Sequence, residues 1–247
     1  MGTVNPGPPL ALVTGAAGGI GQAIVARLAE DGFAVAAVDR LHDWASDPGL
    51  SSPGVRRFGC DVSSAGEVSS LHTAVNHELG QPDVVVNAAG VFFTHRIPDL
   101  SEADWDRTID VNLKGPFLVC RAFLPDMVAR GSGNIVNIAS TAGLRGGRDR
   151  AAYCASKAGL VMFTRSLALD HGRDGIRVNC VCPGLIETAM ADWITSRPDA
   201  LEAWRNQVPA GRIGQPKDIA DMVGFLASPA ADYVQGAVLL VDGGVSA

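Results

Sequence analysis

The chain has 247 residues, of which 47% are hydrophobic and 19% charged, with a formal net charge of −6. This composition excludes a disordered or fibrous protein, and an acidic chain without a basic run argues against nucleic-acid binding as the main function. No apolar run reaches the ~18 residues of a membrane span, and the start lacks the pattern of a signal peptide. Five cysteines without framework spacing favour buried thiols in a reducing cytoplasm over disulfides or a metal site, and no metal is expected.

Short β-rich runs alternate with longer helical patterns along the whole chain. Strands are predicted over residues 10–14, 33–38, 55–60, 83–86, 133–138, 176–181 and 237–241, and helices over 19–31, 65–79, 102–130, 152–171 and 216–227. The pair Gly115 and Pro116 is expected to end one helix within 102–130 and begin another. The alternation predicts an α/β fold of βαβ units, a doubly wound (Rossmann) and mostly parallel seven-stranded sheet with helices on both faces. Residues 1–9 are expected to be a flexible lead, and residues 10–247 one domain.

The first predicted strand runs directly into a glycine-rich turn that opens the first helix. Glycines let the backbone approach a pyrophosphate, and the helix N-terminus supplies unpaired N–H groups and the positive end of the helix dipole. Three residues separate Gly15 from Gly19, so the spacing is not the Gly-x-Gly-x-x-Gly form, and a merely tight turn is the alternative. The predicted cofactor contacts are Gly15, Ala17, Gly18, Gly19, Ile20 and Gly21.

Asp39 follows the second predicted strand. A carboxylate at that position accepts hydrogen bonds from the ribose hydroxyls and repels a 2′-phosphate, which predicts NAD. Arg40 favours NADP instead, because a guanidinium binds a 2′-phosphate. We predict NAD as the cofactor and place both residues in its site.

Two further groups follow the third and fourth predicted strands, where strand ends open onto the crevice of a doubly wound sheet. Asp61 can accept from an adenine amino group, while small residues after the fourth strand leave room for a flat ring and its sugar. Both groups can instead cap turns. The cofactor candidates here are Asp61, Val62, Asn87, Ala88, Ala89 and Gly90.

Tyr153 and Lys157 lie four residues apart on a predicted helix and therefore share a face. A cation beside a phenol favours the phenolate and lowers its pKa, so the pair is a candidate proton donor. Ser140, at the end of the fifth predicted strand, supplies a hydroxyl that can orient the third partner. The alternative is an ordinary surface helix.

With these pieces placed, the chain resembles the short-chain dehydrogenase/reductase (SDR) family over about residues 10–244. The resemblance rests on the turn TGAAGGIG at 14–21, Asp61-Val62, Asn87-Ala-Ala-Gly90, Asn112, Ser140, Tyr153-x-x-x-Lys157, Pro183-Gly184 and Asp242-Gly-Gly244. Ala88 departs from the second Asn that is frequent in the family.

The resemblance implies the roles of the catalytic residues. Tyr153 would be the general acid/base, Lys157 would lower its pKa and bind the nicotinamide ribose, and Ser140 would polarise the substrate oxygen. Asn112 would help to hold a water that relays protons. Pro183, Gly184, Ile186 and Thr188 would form the loop at the nicotinamide, with Ile186 and Thr188 fixing the carboxamide. Relatives also imply a homotetramer (or homodimer).

Residues 187–212 show no strand pattern, and the resemblance implies a lid over the substrate; a packed pair of surface helices is the alternative. Substrate candidates are Phe92, His95, Ala142, Arg150, Met190 and Trp193. Arg145, Arg148 and Arg150 make a basic loop, which either captures an acidic group of the substrate or is a solvated or subunit-contact loop. We expect the second.

The sequence therefore predicts an NAD(H)-dependent oxidoreductase that interconverts a secondary alcohol and its ketone. The alternative is an NADPH-dependent reductase of 3-oxoacyl thioesters on acyl carrier protein. A catalytically silent dinucleotide-binding regulator would lack the Tyr or the Lys, and an epimerase or dehydratase conflicts with the glycine spacing.

Overall fold

The computed structural model describes residues 7–40 and 53–247. Within these ranges, seven strands form one sheet in the order β3-β2-β1-β4-β5-β6-β7, and all six neighbouring pairs are parallel. The strands are β1 (Leu10–Thr14), β2 (Ala34–Asp39), β3 (Val55–Gly59), β4 (Val84–Asn87), β5 (Gly133–Ile138), β6 (Ile176–Pro183) and β7 (Val238–Val241). The predicted fold class is confirmed. Residues 1–6 of the expected flexible lead lie outside the described part.

Helices cover both faces of the sheet. They are α1 (Gly19–Glu30), α2 (Ala65–Glu78), α3 (Glu102–Ile109), α4 (Gly115–Arg130), α5 (Ala151–His171), α6 (Asp192–Thr195), α7 (Pro198–Arg205) and α8 (Pro216–Ala227). Side chains of α1 and α8 pack on one face, and those of α2 and α4 pack on the other. Within the described residues, no helix is both long and apolar enough to cross a membrane.

The strands are apolar at consecutive positions because both of their faces are covered. In β1, Leu10 and Leu12 join the core on one face, while Ala11 and Val13 join the core on the other. This alternation follows from the two-residue period of a strand. Full burial of each large aliphatic side chain contributes roughly 1.5–3 kcal/mol, which fixes the register of the strand ends that carry the site.

The buried thiols of β6 follow the same rule. Cys180 and Cys182 are fully buried and share one small cluster with Leu160 and Val161 of α5. Their spacing of two residues places both side chains on the same side of β6. Their packing helps to seat α5 against the end of the sheet.

The predicted boundary at Gly115 and Pro116 is the point where α4 begins, but the segment before it is helical and not a break. The chain passes from α3 through a π-helical turn, Asp110–Lys114, into α4 without leaving helical geometry. The N–H of Gly115 donates to the Asp110 carbonyl, five residues back. Pro116 lies in the first turn of α4, where a missing N–H is tolerated. Gly115 is explained instead by close packing, since a Cβ there would lie 2.9 Å from Val62 Cγ2.

The strand order reverses between β1 and β4. The carboxyl ends of these neighbours diverge into loops on opposite sides, which leaves a crevice at the point where ligands bind in open α/β sheets. Residues 187–212 lie above this edge and form a short 3₁₀ turn, Ala189–Ala191, followed by α6 and α7. The site is therefore bounded by strand ends below and by this helical segment above.

Candidate active site

The glycine-rich turn after β1 is shaped by close backbone contact. Gly15 has φ +69°, a left-handed conformation that favours glycine. A Cβ on Gly15 would lie 2.6 Å from Ala89 Cα. The close approach of the loop after β4 therefore requires a glycine at position 15. Gly18 precedes the first turn of α1, whose N–H groups face the crevice edge. The turn thus offers the backbone cradle that a pyrophosphate needs.

A crevice of about 380 Å³ extends from this turn along the ends of β1, β2 and β4. Predicted cofactor residues that line it are Gly15, Ala17, Gly18, Gly19, Ile20, Gly21, Asp39, Arg40, Asp61, Val62, Ala88, Ala89 and Gly90. Asn87 does not line it. Its side chain is buried beneath the crevice and donates to Asn137 Oδ1 at 2.8 Å, so it ties β4 to β5.

Asp39 and Asp61 are both fixed by hydrogen bonds at the crevice. Asp39 accepts from the N–H of Ala17 at 2.9 Å and from its neighbour Arg40 at 2.8 Å. Asp61 accepts from Arg107 Nη1 at 3.1 Å and from the Ser63 hydroxyl at 2.6 Å. Burial acts to raise the pKa of Asp61, but the bonds from Ser63 and Arg107 outweigh it and hold the pKa below its usual range.

Arg107 was missed by the sequence reasoning. It lies in α3, lines the crevice beside Asp61, and belongs to no recognisable motif. Only the tertiary fold, which places α3 beside the loop after β3, brings its guanidinium to the carboxylate. No local spacing in the sequence signals that contact.

A second cavity, of about 330 Å³, adjoins the crevice. Five residues line both spaces and join them: Ile20, Ala88, Gly90, Thr188 and Met190. The predicted residues that line this cavity are Ser140, Tyr153, Lys157, Phe92, Ala142, Arg150, Pro183, Gly184, Ile186, Thr188, Met190 and Trp193. The structure therefore brings the candidate proton donor, the loop after β6 and the helical segment 187–212 around one space.

Tyr153 is held on two sides of its ring. Phe92 packs edge-on against it, with ring centroids 4.9 Å apart and an interplanar angle of 83°. The Ser140 side chain hydrogen-bonds with the phenol and also accepts from the Ala142 N–H at 3.1 Å. Since Ser140 begins the turn Thr141–Gly143, its hydroxyl is fixed at the end of β5, beside the Tyr153 phenol.

The charge states of the pair differ from the sequence expectation. Burial raises the pKa of Tyr153 to about 12, although the hydrogen bond with Ser140 and the charge of Arg150 act to lower it. Burial also lowers the pKa of Lys157 to about 8. The expected lowering of the Tyr153 pKa is therefore wrong for the protein alone, because desolvation of the phenolate outweighs the stabilising contacts.

Lys157 is buried at the junction of crevice and cavity. Its Nζ donates to the Ile138 carbonyl at 2.9 Å and lies 5.8 Å from the centre of the Tyr153 ring. A Cβ at Gly90 would lie 3.6 Å from the same nitrogen. The ammonium thus faces the side of the crevice that a nicotinamide ribose would occupy.

Asn112 lies in the π-helical turn and lines neither space. Its Oδ1 accepts from the Val91 N–H at 2.8 Å, and its Nδ2 donates to the Val91 carbonyl at 2.9 Å and to Ser156 Oγ at 3.2 Å. The Ser156 hydroxyl in turn donates to the Tyr153 carbonyl at 2.8 Å. Asn112 therefore ties the loop after β4 to the first turns of α5.

The structure places only some of the predicted substrate residues on the cavity wall. His95 does not line the cavity: its Nε2 lies 4.0 Å from Asp104, and its main chain pairs with that of Arg150. In the basic loop, Arg148 is exposed, and Arg145 donates to the Val245 carbonyl at 3.1 Å. Arg150 is the partly buried member and lies on the cavity wall.

The residues of the crevice fit a dinucleotide. The glycine turn supplies N–H groups for a pyrophosphate, Asp39 stands where a ribose would lie, and Gly90 leaves open the approach to Lys157 that a Cβ would narrow. Thr188 and Ile186 line the far end. No side chain of the described crevice fills the path between these points.

Comparison with known proteins agrees with this geometry. A family model described as enoyl-(acyl carrier protein) reductase, of the SDR family, matches residues 15–246. D-threitol dehydrogenase of Mycolicibacterium smegmatis is 41% identical over 95% of this chain and 92% of that protein. 2-(R)-hydroxypropyl-CoM dehydrogenase of Xanthobacter autotrophicus is 38% identical over 96% and 98%. The solved structure described as a putative NAD(P)-dependent gluconate 5-dehydrogenase from Beutenbergia cavernae, with bound NADP, is 34% identical, covers 98% of each chain and has a TM-score of 0.91.

The chain belongs to the short-chain dehydrogenase/reductase family. It is an NAD(P)-dependent oxidoreductase that acts on CH–OH donors, and the class predicted from the sequence is confirmed.

Proposed function

We propose that this enzyme interconverts a secondary alcohol and its ketone with NAD(H), using Tyr153 as the general acid/base. One observation carries the proposal: the Tyr153 phenol, the Ser140 hydroxyl and the Lys157 ammonium face one cavity that is continuous with the glycine-lined crevice. The bound nicotinamide supplies or accepts the hydride. The chain's own residues position the substrate and move its proton.

In the reducing direction, Tyr153 donates its proton to the ketone oxygen. A pKa of about 12 keeps the phenol protonated at neutral pH, and Ser140 holds the same oxygen within reach, as general acid catalysis requires. In the oxidising direction, Tyr153 receives the alcohol proton, and the Lys157 cation stabilises the phenolate that must exist first. Asn112 acts through the loop at Val91 and through Ser156, and it remains a candidate for the proton relay.

NAD is the proposed cofactor because of Asp39. Its carboxylate is fixed at the end of β2 by the N–H groups of Ala17 and Arg40. That position lets it accept from ribose hydroxyls and disfavours a 2′-phosphate by charge repulsion. Arg40 also lines the crevice and is the feature that favours NADP.

The loop after β6 and the helical segment 187–212 are proposed to close the site. Thr188 lines the crevice and the cavity, and the main chain of Ile186 pairs with Gly214 beyond α7. This bridge anchors both ends of the segment. We assign Ile186 and Thr188 to the carboxamide, and the segment to a lid of the kind that orders on binding.

A cytoplasmic homotetramer or homodimer is the proposed state of the protein. Met162 and Leu169 of α5 are 56% and 85% exposed, and Leu240 of β7 is 46% exposed. Apolar side chains exposed along a helix and an edge strand suit contacts between copies. The five free thiols suit a reducing compartment.

A panel of secondary alcohols, ketones and a 3-oxoacyl thioester tests the proposal by nicotinamide absorbance with NAD(H) and NADP(H). We expect turnover of simple alcohols or ketones with NAD(H). Turnover confined to the thioester with NADPH would establish the acyl-carrier-protein alternative. No turnover of any compound would contradict both.

A further inference from the structure

The charged side chains that line the cavity beside Tyr153 are all positive. Its charged lining residues are Arg145, Arg150 and Lys157, and the lining contains neither Asp nor Glu. The chain as a whole carries a net charge of −6, so this cationic wall runs against the overall composition. A cavity lined in this way attracts anions and repels cations.

Arg150 is held over the aromatic wall of the cavity. Its guanidinium carbon lies 5.4 Å from the ring centroid of Trp193 and 5.9 Å from that of Phe92, within cation–π range. Its Nε donates to the Arg148 carbonyl at 3.2 Å. These contacts restrict the orientation of the guanidinium at the cavity wall.

Arg150 has no carboxylate within ion-pair distance among residues 7–40 and 53–247. Other arginines of this chain do: Arg107 pairs with Asp61 and Arg212 pairs with Asp218. An ordered, partly buried arginine without an acidic partner, on a cavity wall, has donor capacity to offer a ligand. Its planar fork matches a carboxylate or another oxyanion.

The backbone before Arg150 is specifically set. Asp149 has φ 60° and is the only residue other than glycine with a positive φ in the described part of the chain. Such a conformation persists where the surroundings impose it and is often found at binding sites. Asp149 lies directly before Arg150, the residue that precedes α5, and both Arg150 and Tyr153 line the cavity.

Trp204 of α7 provides a second donor in the same wall. It lines the cavity, and its indole N–H is buried without an acceptor in the described residues. A buried N–H normally has a partner. A polar group of the substrate would supply one.

We propose, on the basis of the function above, that the substrate is a small secondary alcohol or ketone bearing an anionic group, and that Arg150 binds this group. The cavity of about 330 Å³ suits such a molecule. With the anion at Arg150, the carbinol carbon a few bonds away reaches Tyr153. Within the basic loop that we expected to be solvated, Arg148 is on the surface, whereas Arg150 belongs to the proposed site.

The test compares 3-oxo acids with their primary amides, at pH 7 with NADH. The amide keeps the size of the substrate and removes its charge. We expect kcat/KM to favour the acid by at least ~10-fold, mostly through KM. Arg150→Gln should reduce that preference by at least ~10-fold, and Arg150→Lys should restore part of it. Arg148→Gln, a neighbouring surface change, should leave the preference as in the wild type.

Sulfonate and phosphonate analogues then define which oxyanion the site takes. Equal kcat/KM for acid and amide in the wild type, or an unchanged preference in Arg150→Gln, would overturn the assignment. Because the preference is a ratio within each variant, a general loss of folding or activity does not mimic the expected result. Failure of the proposed function itself would differ, since neither acid nor amide would then be turned over.

Discussion

The Lys157 ammonium donates to the Ile138 carbonyl at 2.9 Å, which joins α5 to the carboxyl end of β5. This bond holds a buried cation at the cavity wall, 5.8 Å from the centre of the Tyr153 ring, where the proposed function needs a positive charge. Burial of the same cation is unfavourable and lowers its pKa to about 8. Lys157 therefore lowers the stability of the folded protein at neutral pH, while its charge has a role in the proposed reaction.

Replacing Lys157 by Met should separate stability from activity. The unfolded chain binds a proton at this residue up to the ordinary pKa of 10.5, whereas the folded chain loses it near 8. The contribution of Lys157 to the free energy of unfolding of the wild type is thus lowest below pH 8, and it rises between pH 8 and pH 10.5. We expect the inactive Lys157→Met variant to be at least as stable as wild type at pH 7. Between pH 8 and 10.5 the free energy of unfolding of the wild type should rise relative to that of the variant by up to about 3 kcal/mol, since one pKa unit equals about 1.4 kcal/mol. Urea unfolding at several pH values measures this, and a difference independent of pH would contradict it.

Ketone reduction should lose efficiency above about pH 8, where Lys157 gives up its proton. Tyr153, with a pKa of about 12, stays protonated through that range and does not cause the decline. The measurement is kcat/KM for the ketone from pH 6 to 10. The residual activity of Lys157→Arg, whose guanidinium stays charged, should lack the decline. A decline at the same pH in that variant would assign it to another group.

Asn112→Ala should reduce both stability and activity. The change leaves the N–H and the carbonyl of Val91 without a side-chain partner and removes one of the two hydrogen bonds of the Ser156 hydroxyl. Because each buried group without a partner costs roughly 1–3 kcal/mol, we expect unfolding free energy to fall by about 2–4 kcal/mol and kcat to fall with it. Asn76→Ala, which removes bonds to His72 and Asp126 on α2 and α4, is the matched control and should leave kcat unchanged. Equal effects of the two substitutions on kcat would show that Asn112 has no specific role in the reaction.

Asp39→Ala should abolish discrimination against the 2′-phosphate. The wild type is expected to have the higher kcat/KM with NAD, and the variant should raise the NADP-to-NAD ratio of kcat/KM by at least ~10-fold because the repelling carboxylate is gone. Glu30→Ala, an exposed acidic position at the end of α1, controls for net charge. A wild-type preference for NADP would reverse the assignment of Asp39.

The sequence was most informative where a motif depends on local geometry. The glycine turn could be predicted because Gly15 needs its positive φ and the absence of a Cβ within the turn itself. Parallel strands could be predicted from runs such as 84–86, which are apolar on both faces. Properties that depend on tertiary burial could not be predicted. The pKa of Tyr153 rises instead of falling because the fold desolvates the phenol.

Long-range contacts account for the remaining differences. Gly115 is required by close packing against Val62, a neighbour 53 positions away along the chain. Arg107 reaches Asp61 only because the fold places α3 beside the loop after β3. Arg150 resembled its exposed neighbour Arg148 in sequence, and only the packing of Phe92 and Trp193 distinguishes the two.

The central claim is that Tyr153 moves the substrate proton, and Tyr153→Phe tests it most directly. The variant keeps the ring that packs against Phe92 and removes only the hydroxyl. We predict that kcat for the alcohol–ketone reaction falls by 10²–10⁴-fold, the usual contribution of positioned proton transfer, while NADH binding measured by fluorescence is retained. Activity within ~10-fold of the wild type would contradict the assignment.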